Sequence, residues 1–146
     1  METGRSWSEL QVGLSASRRW HVTDDLIAAF AAVTDDHNRV HLDEDYARTT
    51  PFRGRIAHGM LVAGFISAVL ANDLPGPGTI YVSQQLSFRA PVRPGDWVEV
   101  LVQVTELQAE RKRVVLRTTA RVGDTVVAEG DAVVLPPRPA ATAVPV

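Results

Sequence analysis

The run IAHGMLVAGFISAVLAN, residues 56–72, decides the fold. Apart from His58, Ser67 and Asn72 it offers almost no polar side chain, and its Ala and Leu residues favour helix. It falls short of the roughly 20 residues that an apolar helix needs to span lipid. A helix that is apolar on all sides and too short for a membrane belongs in a core. The expectation is therefore a central buried helix over 56–72, with the rest of the chain arranged to cover it.

C-terminal to that run, Leu74-Pro75-Gly76-Pro77-Gly78 signals a turn, and the hydrophobic period then changes to two. Residues 79–88 are rich in β-formers, and Pro94-Gly95-Asp96 makes the next turn. Val98, Val100, Val102 and Val104 alternate with Trp97, Glu99, Leu101 and Gln103. Val114, Leu116, Thr118 and Ala120 alternate with Val115, Arg117, Thr119 and Arg121, and Gly123-Asp124 turns that strand into 125–135. One apolar face and one mixed face describe an antiparallel sheet packed on a single layer. The fold class that follows is α+β, a long antiparallel sheet curled around the buried helix.

N-terminal to the run, residues 15–21 read as a short extended piece. Thr23 offers a capping hydroxyl, Asp24 and Asp25 suit the positive end of a helix dipole, and Leu26, Ala29, Phe30 and Val33 follow at helical spacing. This predicts an amphipathic helix over 24–33. A helical turn is expected around 43–48, broken at Thr50-Pro51-Phe52. Residues 1–12 read as an irregular lead, 13–135 as one domain, and the Pro- and Ala-rich 136–146 as a loose tail.

Composition narrows the function. Fifteen Lys and Arg against seventeen Asp and Glu give a net charge of -2, which argues against a nucleic-acid or anionic-membrane binder dependent on wide basic coverage. The absence of cysteine removes disulfides, thiolate metal sites and thiol nucleophiles together. METGRSWSEL carries no apolar signal core, so a cytoplasmic location is expected. Gly54 and Gly59 have phosphate-loop spacing, but Met60-Leu61 stand where Lys and Ser/Thr are required. Ser67 lies outside any Gly-x-Ser-x-Gly elbow. Arg111-Lys112-Arg113 reads as a solvated hairpin tip. His37 and His41 with Asp35, Asp36, Asp43 and Asp45 lack the periodicity that would converge them on an ion, so no metal is expected. His21 reads as a surface histidine and His58 as a helix-start histidine.

What remains is Thr34-Asp35-Asp36-His37-Asn38-Arg39-Val40-His41. Two readings stand side by side: a solvated loop closed by helix caps, or a loop that holds a water molecule. In the second, Asp36 accepts a proton from water, His41 orients the same water and moves a proton onward, and Asn38 holds the loop by side-chain to backbone bonds.

This loop resembles the signature Gly-Asp-x-Asn-Pro-x-His of the MaoC-like, (R)-specific enoyl-CoA hydratases. Asp36, Asn38 and His41 match its Asp, Asn and His, while Asp35 stands for the Gly and Arg39 for the Pro. Arg55-Ile56-Ala57-His58-Gly59-Met60-Leu61 resembles the family's start of the central helix, and Ser67 falls where the family has a small polar residue near the site. Leu86-Ser87-Phe88-Arg89-Ala90-Pro91-Val92 with Pro94-Gly95-Asp96 resembles the strand and turn that follow. The resemblance spans about residues 15–135 and is greatest to the short single-domain hydratases that supply polyhydroxyalkanoate synthesis.

The resemblance implies a hot-dog fold, a homodimer or larger assembly with sites beside the interface, and an acyl-CoA substrate. It implies reversible hydration of trans-2-enoyl-CoA to (R)-3-hydroxyacyl-CoA, with no cofactor. Asp36 is then the general base and His41 its partner in proton transfer. The backbone N–H of Gly59, at the positive end of the helix, is placed to receive enolate charge on the thioester oxygen. The alternative for Gly59 is tight packing against a neighbouring strand; for Ser67 it is a bond back to a helix carbonyl. Arg39, Arg53, Arg55, Arg89 and Arg93 are the candidates for the CoA phosphates, and Phe65 and Leu70 for closing the acyl pocket. Rival activities are a dehydratase of carrier-bound acyl chains, a hot-dog thioesterase and a non-catalytic acyl-CoA-binding subunit.

Overall fold

Alternating apolar residues in the second half of the chain build the sheet. The computed structural model describes residues 2–139. Its strands are β1 (Ser15–His21), β2 (Ile80–Gln84), β3 (Ser87–Phe88), β4 (Trp97–Gln108), β5 (Arg113–Val122) and β6 (Thr125–Leu135). Its helices are α1 (Asp24–Thr34), α2 (Arg39–Leu42), α3 (Glu44–Ala47) and α4 (Gly59–Asn72). The strand order is β1-β4-β5-β6-β2, with β3 also paired to β6, and every pairing is antiparallel. The valines of β4 and the inward residues of β5 are fully buried, and α4 packs on the face they form.

The stretch expected as one strand over 79–88 is two. The backbone of Gln85 crosses so close to Gly130 that a Cβ there would stand 1.8 Å from the Gln85 carbonyl oxygen. Gly130 therefore admits a break in the edge strand that any other residue would push away. Buried Thr118 uses the same place: its hydroxyl donates to the Gly130 carbonyl at 3.0 Å and accepts from Gln84 Nε2 at 3.0 Å.

Three further expectations need correction. In α1 the buried residues are Ile27 and Ala31, with Leu26 and Phe30 packed beside them, while Ala29 is exposed and Val33 is 82% exposed. At about 100° per residue Val33 lies roughly opposite Ala31. The central helix begins at Gly59 rather than Ile56, because residues 56–58 join no helix and bond elsewhere: the Ile56 N–H donates to Val40 O and the Ala57 N–H to Val92 O. Nor is it buried on all sides. Leu61, Val62, Phe65, Ile66, Val69 and Leu70 face the core, but Met60 is 63% exposed and Gly64 and Ala71 are exposed.

At the N-terminus, Gly4 and Arg5 donate to the carbonyls of Pro77 and Pro75, Trp7–Glu9 forms a 3-10 turn capped by Ser6, and Leu10 is buried. Of the tail expected over 136–146, residues 136–139 form no helix or strand and Pro137 packs on Gly78; residues 140–146 lie outside the described residues. Among the described residues no helix is long and apolar enough to cross a membrane.

Candidate active site

The loop between α1 and α2 is shaped by its own side chains. Thr34 donates its hydroxyl to Phe30 O at 2.6 Å and accepts from the Asp36 N–H. Asp35 ends α1 in the left-handed region, with φ 64° and ψ 18°. Asp36 Oδ1 accepts from the Asn38 N–H at 3.2 Å, and Asn38 in turn caps α2 by accepting from the Val40 N–H at 3.3 Å. These bonds turn the chain so that Asp36 and, through α2, His41 reach the N-terminus of α4. Asp43 then caps α3 through the Tyr46 N–H.

His41 is 8% exposed, and its Nδ1–H donates to Ile56 O at 2.7 Å, which leaves Nε2 as the nitrogen that can accept. Burial pushes the imidazole below the usual histidine range, against the bond to Ile56, which pulls it up. A shift in that direction favours the neutral ring at pH 7. Its neighbour is His58, stacked at 3.8 Å between centroids, and one polar side-chain atom from each of Asp36, His41 and His58 lies within 4.8 Å of the other two. His58 is 2% exposed. The metal grouping weighed from the sequence does not assemble: His37 is exposed and pairs with Asp35. Asp36, His41 and His58 do bring one donor atom each within 4.8 Å of the others, with His41 Nδ1 already bonded to Ile56 O and His58 Nε2 to the Asp36 carbonyl.

Asp36 and His41 line one cavity of about 430 Å³ whose other walls include Phe52, Gly59, Phe88 and Val127. An acceptor carboxylate and a neutral imidazole on one side face the first N–H groups of α4 on the other, which have no intrahelical acceptors. Such a chamber can take a proton from water and stabilise charge forming on a nearby oxygen. Gly59 also serves packing, since a Cβ there would stand 2.7 Å from the Phe88 ring.

With the loop, the cavity and the six-stranded sheet wound around α4 in view, the relatives can be compared. Residues 8–127 match the MaoC-like domain. The chain belongs to the MaoC-like family. The (R)-specific enoyl-CoA hydratase of Rhodospirillum rubrum is 52% identical over 131 residues, covering 90% of this chain and 91% of that one. The 3-hydroxybutyryl-CoA dehydratase of Methylorubrum extorquens is 50% identical over 132 residues, covering 90% and 84%. The unliganded structure of R-hydratase PhaJ1 from Pseudomonas aeruginosa superposes with a TM-score of 0.86 at 39% identity, over 98% of this chain and 96% of that one. The fold of this MaoC-like chain is the hot-dog fold.

The remaining residues singled out from the sequence are dispersed. Ser67 opens on a second cavity of about 800 Å³, which shares Asp36 and Met60 with the first. Phe65 and Leu70 do not close either cavity: Phe65 stacks on Trp20 at 4.5 Å and Leu70 is 1% exposed, both turned into the core by the side of α4 they occupy. Arg55 is not free for phosphate, because it holds Asp24 at 2.9 Å and Glu44 at 3.1 Å, contacts that raise its pKa. Arg39 pairs with Asp43 and lies over Tyr46. Arg93 donates to Gly54 O at 3.2 Å. Arg53 is exposed, with φ 57°, and lies off both cavities. Arg89 alone of the five lines the Asp36-His41 cavity, held at its rim by Glu129 at 3.5 Å. The residue missed was His58. Its one signal was a lone polar ring in the apolar run, and that ring reaches the site only through the tertiary fold.

Proposed function

We propose that this chain is an (R)-specific enoyl-CoA hydratase, a hydro-lyase that adds water reversibly to trans-2-enoyl-CoA to give (R)-3-hydroxyacyl-CoA. The observation that carries the reading is the meeting of the Asp36 carboxylate and the His41 ring in one cavity at the head of α4. Relatives named hydratase and dehydratase at about half identity, whose names describe one reaction in its two directions, support it.

The chemistry follows from the geometry. One water donates a hydrogen bond to Asp36 and another to His41 Nε2. As its oxygen bonds to the β-carbon, the π electrons move to the thioester oxygen, and the Gly59 N–H receives that charge. A donor in this role is worth about 3 kcal/mol of transition-state stabilisation. The proton released from the water stays on the Asp36-His41 couple and passes to the α-carbon as the enolate collapses. Because His41 starts neutral, its first act is to accept, and it delivers only what the water has given.

Two copies paired through β2 complete the site in this proposal. That strand is a sheet edge, and Ile80, Tyr81, Val82 and Met60 beside it are exposed. Asp36 is also exposed in the single chain and would gain from cover.

The test is hydration of crotonyl-CoA with chiral analysis of the product. Asp36→Asn keeps the shape and is expected to lower kcat by about 10²–10⁴-fold with the fold intact. Near-normal turnover in Asp36→Asn removes the base assignment, and an unchanged rate in His41→Ala removes the couple. Release of free CoA without hydration makes the protein a thioesterase, and binding without turnover makes it a non-catalytic acyl-CoA-binding subunit.

A further inference from the structure

His58 occupies the N-cap position of α4, yet its side chain makes no cap bond to the helix. The ring turns the other way, into a space closed by three other elements. Its Nε2–H donates to the main-chain carbonyl of Asp36 at 3.1 Å, across 22 residues of sequence. One face stacks on His41 at 3.8 Å, and Phe30 of α1 lies against it at 4.8 Å, tilted by 53°. Its Nδ1 is buried with no partner. Native interiors seldom carry an orphaned polar atom without a reason, and Leu or Phe would fill the same space without one.

We propose that His58 is a positioning residue for the hydration site, tying the Asp36 main chain and the His41 ring to the residue that precedes the Gly59 N–H. The inference rests on the hydratase reading of that site. Asp36 is exposed, and its own carboxylate is braced only within the loop, by the Asn38 N–H. The bond from His58 anchors that loop to a fully buried side chain. Through one ring the fold thus fixes the distance between the base on one side of the substrate and the main-chain donor on the other. His58 also lines the cavity, but with Nδ1 buried and Nε2 bonded to the Asp36 carbonyl it offers no free polar atom there, so it acts through its neighbours.

Two substitutions separate its contacts. His58→Gln keeps a nitrogen donor near the Nε2 position and loses the ring; His58→Phe keeps the ring and loses the donor. Misplacing a catalytic group by about 1 Å can cost up to about 100-fold, so kcat is expected to fall at least about tenfold in His58→Phe, with KM changed less than about threefold. His58→Gln should recover most of that loss. In an Asp36→Asn background His58→Phe should cost little more, since the group it acts through is gone. Amide hydrogen exchange of residues 35–38 should speed up in His58→Phe and stay slow in His58→Gln. That readout needs no substrate, so it tests the tether even if the wild-type protein fails to hydrate enoyl-CoA, the outcome that would sink the hydratase reading instead. If His58→Phe folds poorly, His58→Asn, whose nitrogen sits near the Nδ1 position, takes its place with the same expectations. Equal rates in the donor-bearing and donor-less variants, or equal exchange, overturn the proposal.

Discussion

Gly59→Ala separates the two reasons for a glycine at the head of α4. The added Cβ would lie 2.7, 3.0 and 3.1 Å from three atoms of the Phe88 ring, where carbon atoms rest at about 3.5–4.0 Å. The ring must therefore retreat by about 1 Å. Overpacking of that kind costs about 1–3 kcal/mol in a closed core, but Phe88 is 55% exposed and can swing outward, so the low end applies. Alanine recovers part of it, because at a backbone conformation open to both residues it narrows the unfolded ensemble by about 0.4–1 kcal/mol relative to glycine. The net change in stability should stay within about 1 kcal/mol, a Tm shift of about 4 °C or less for a domain of this size.

The effect on turnover should be much larger. The methyl group would enter the space between Phe88 and the helix N-terminus, both of which face the cavity of Asp36 and His41. A thioester oxygen held off the Gly59 N–H loses a donor worth about 3 kcal/mol, or about 10²-fold in kcat. Thermal melting and crotonyl-CoA kinetics on the same preparation read both numbers. A Tm within the stated range together with kcat within about threefold of wild type would show that Gly59 serves the Phe88 contact alone, and the main-chain donor would have to be sought elsewhere.

Burial lowers the His41 pKa, so the acid limb of kcat/KM should fall below about 6.5, the ordinary histidine value, and ring titration by NMR should place His41 there; a His41 midpoint at or above that value refutes it. The sign for stability is the reverse of a protective ion pair: below about pH 6.5 the unfolded chain takes up a proton that folded His41 refuses, so stability falls as pH drops from there towards the folded pKa, which urea melts across the window will detect. Asp35→Gly should add about 0.5–1 kcal/mol, because φ 64° suits glycine, with kcat unchanged; a destabilised variant would contradict this. Arg39→Pro should be nearly neutral: fixing φ at the first helical position gains about 0.4–1 kcal/mol, and losing the exposed Asp43 pair and the Tyr46 contact returns about as much. Val82→Lys on the β2 edge should yield a monomer by sedimentation with reduced specific activity; a fully active monomer would show that one chain suffices.

The sheet was legible because its chemistry repeats: Val98 to Val104 and Val114 to Ala120 place every second residue inside, and period two has no other common meaning. The apolar run gave the central helix for a similar reason, but it could not show which side would stay open. Met60, Ala63 and Ser67 are the same residue types whether they meet a core or line a cavity. Phe65 and Leu70 failed as pocket residues on that ambiguity, since an apolar side chain does not declare what it will touch. The break between β2 and β3 was hidden too, because its cause, Gly130, lies on another strand.

The loop shows why part of a site can be read and part cannot. Asp36, Asn38 and His41 stand within six positions, so local chemistry brings them into view, and the two departures from the signature fall where the backbone explains the usual residues. Asp35 occupies a left-handed helix end, which glycine enters without strain. Arg39 is the first residue of α2, where proline's missing N–H costs nothing. Neither place carries a side chain into the cavity, so the substitutions alter the cost of forming the loop and leave the reacting groups where they are. His58 is the opposite case. It lies 17 residues beyond His41, on whose ring it stacks, and 22 beyond Asp36, whose carbonyl it bonds. Spacing along the chain encodes neither contact, and a buried histidine with one unpaired nitrogen becomes informative only once its neighbours are known.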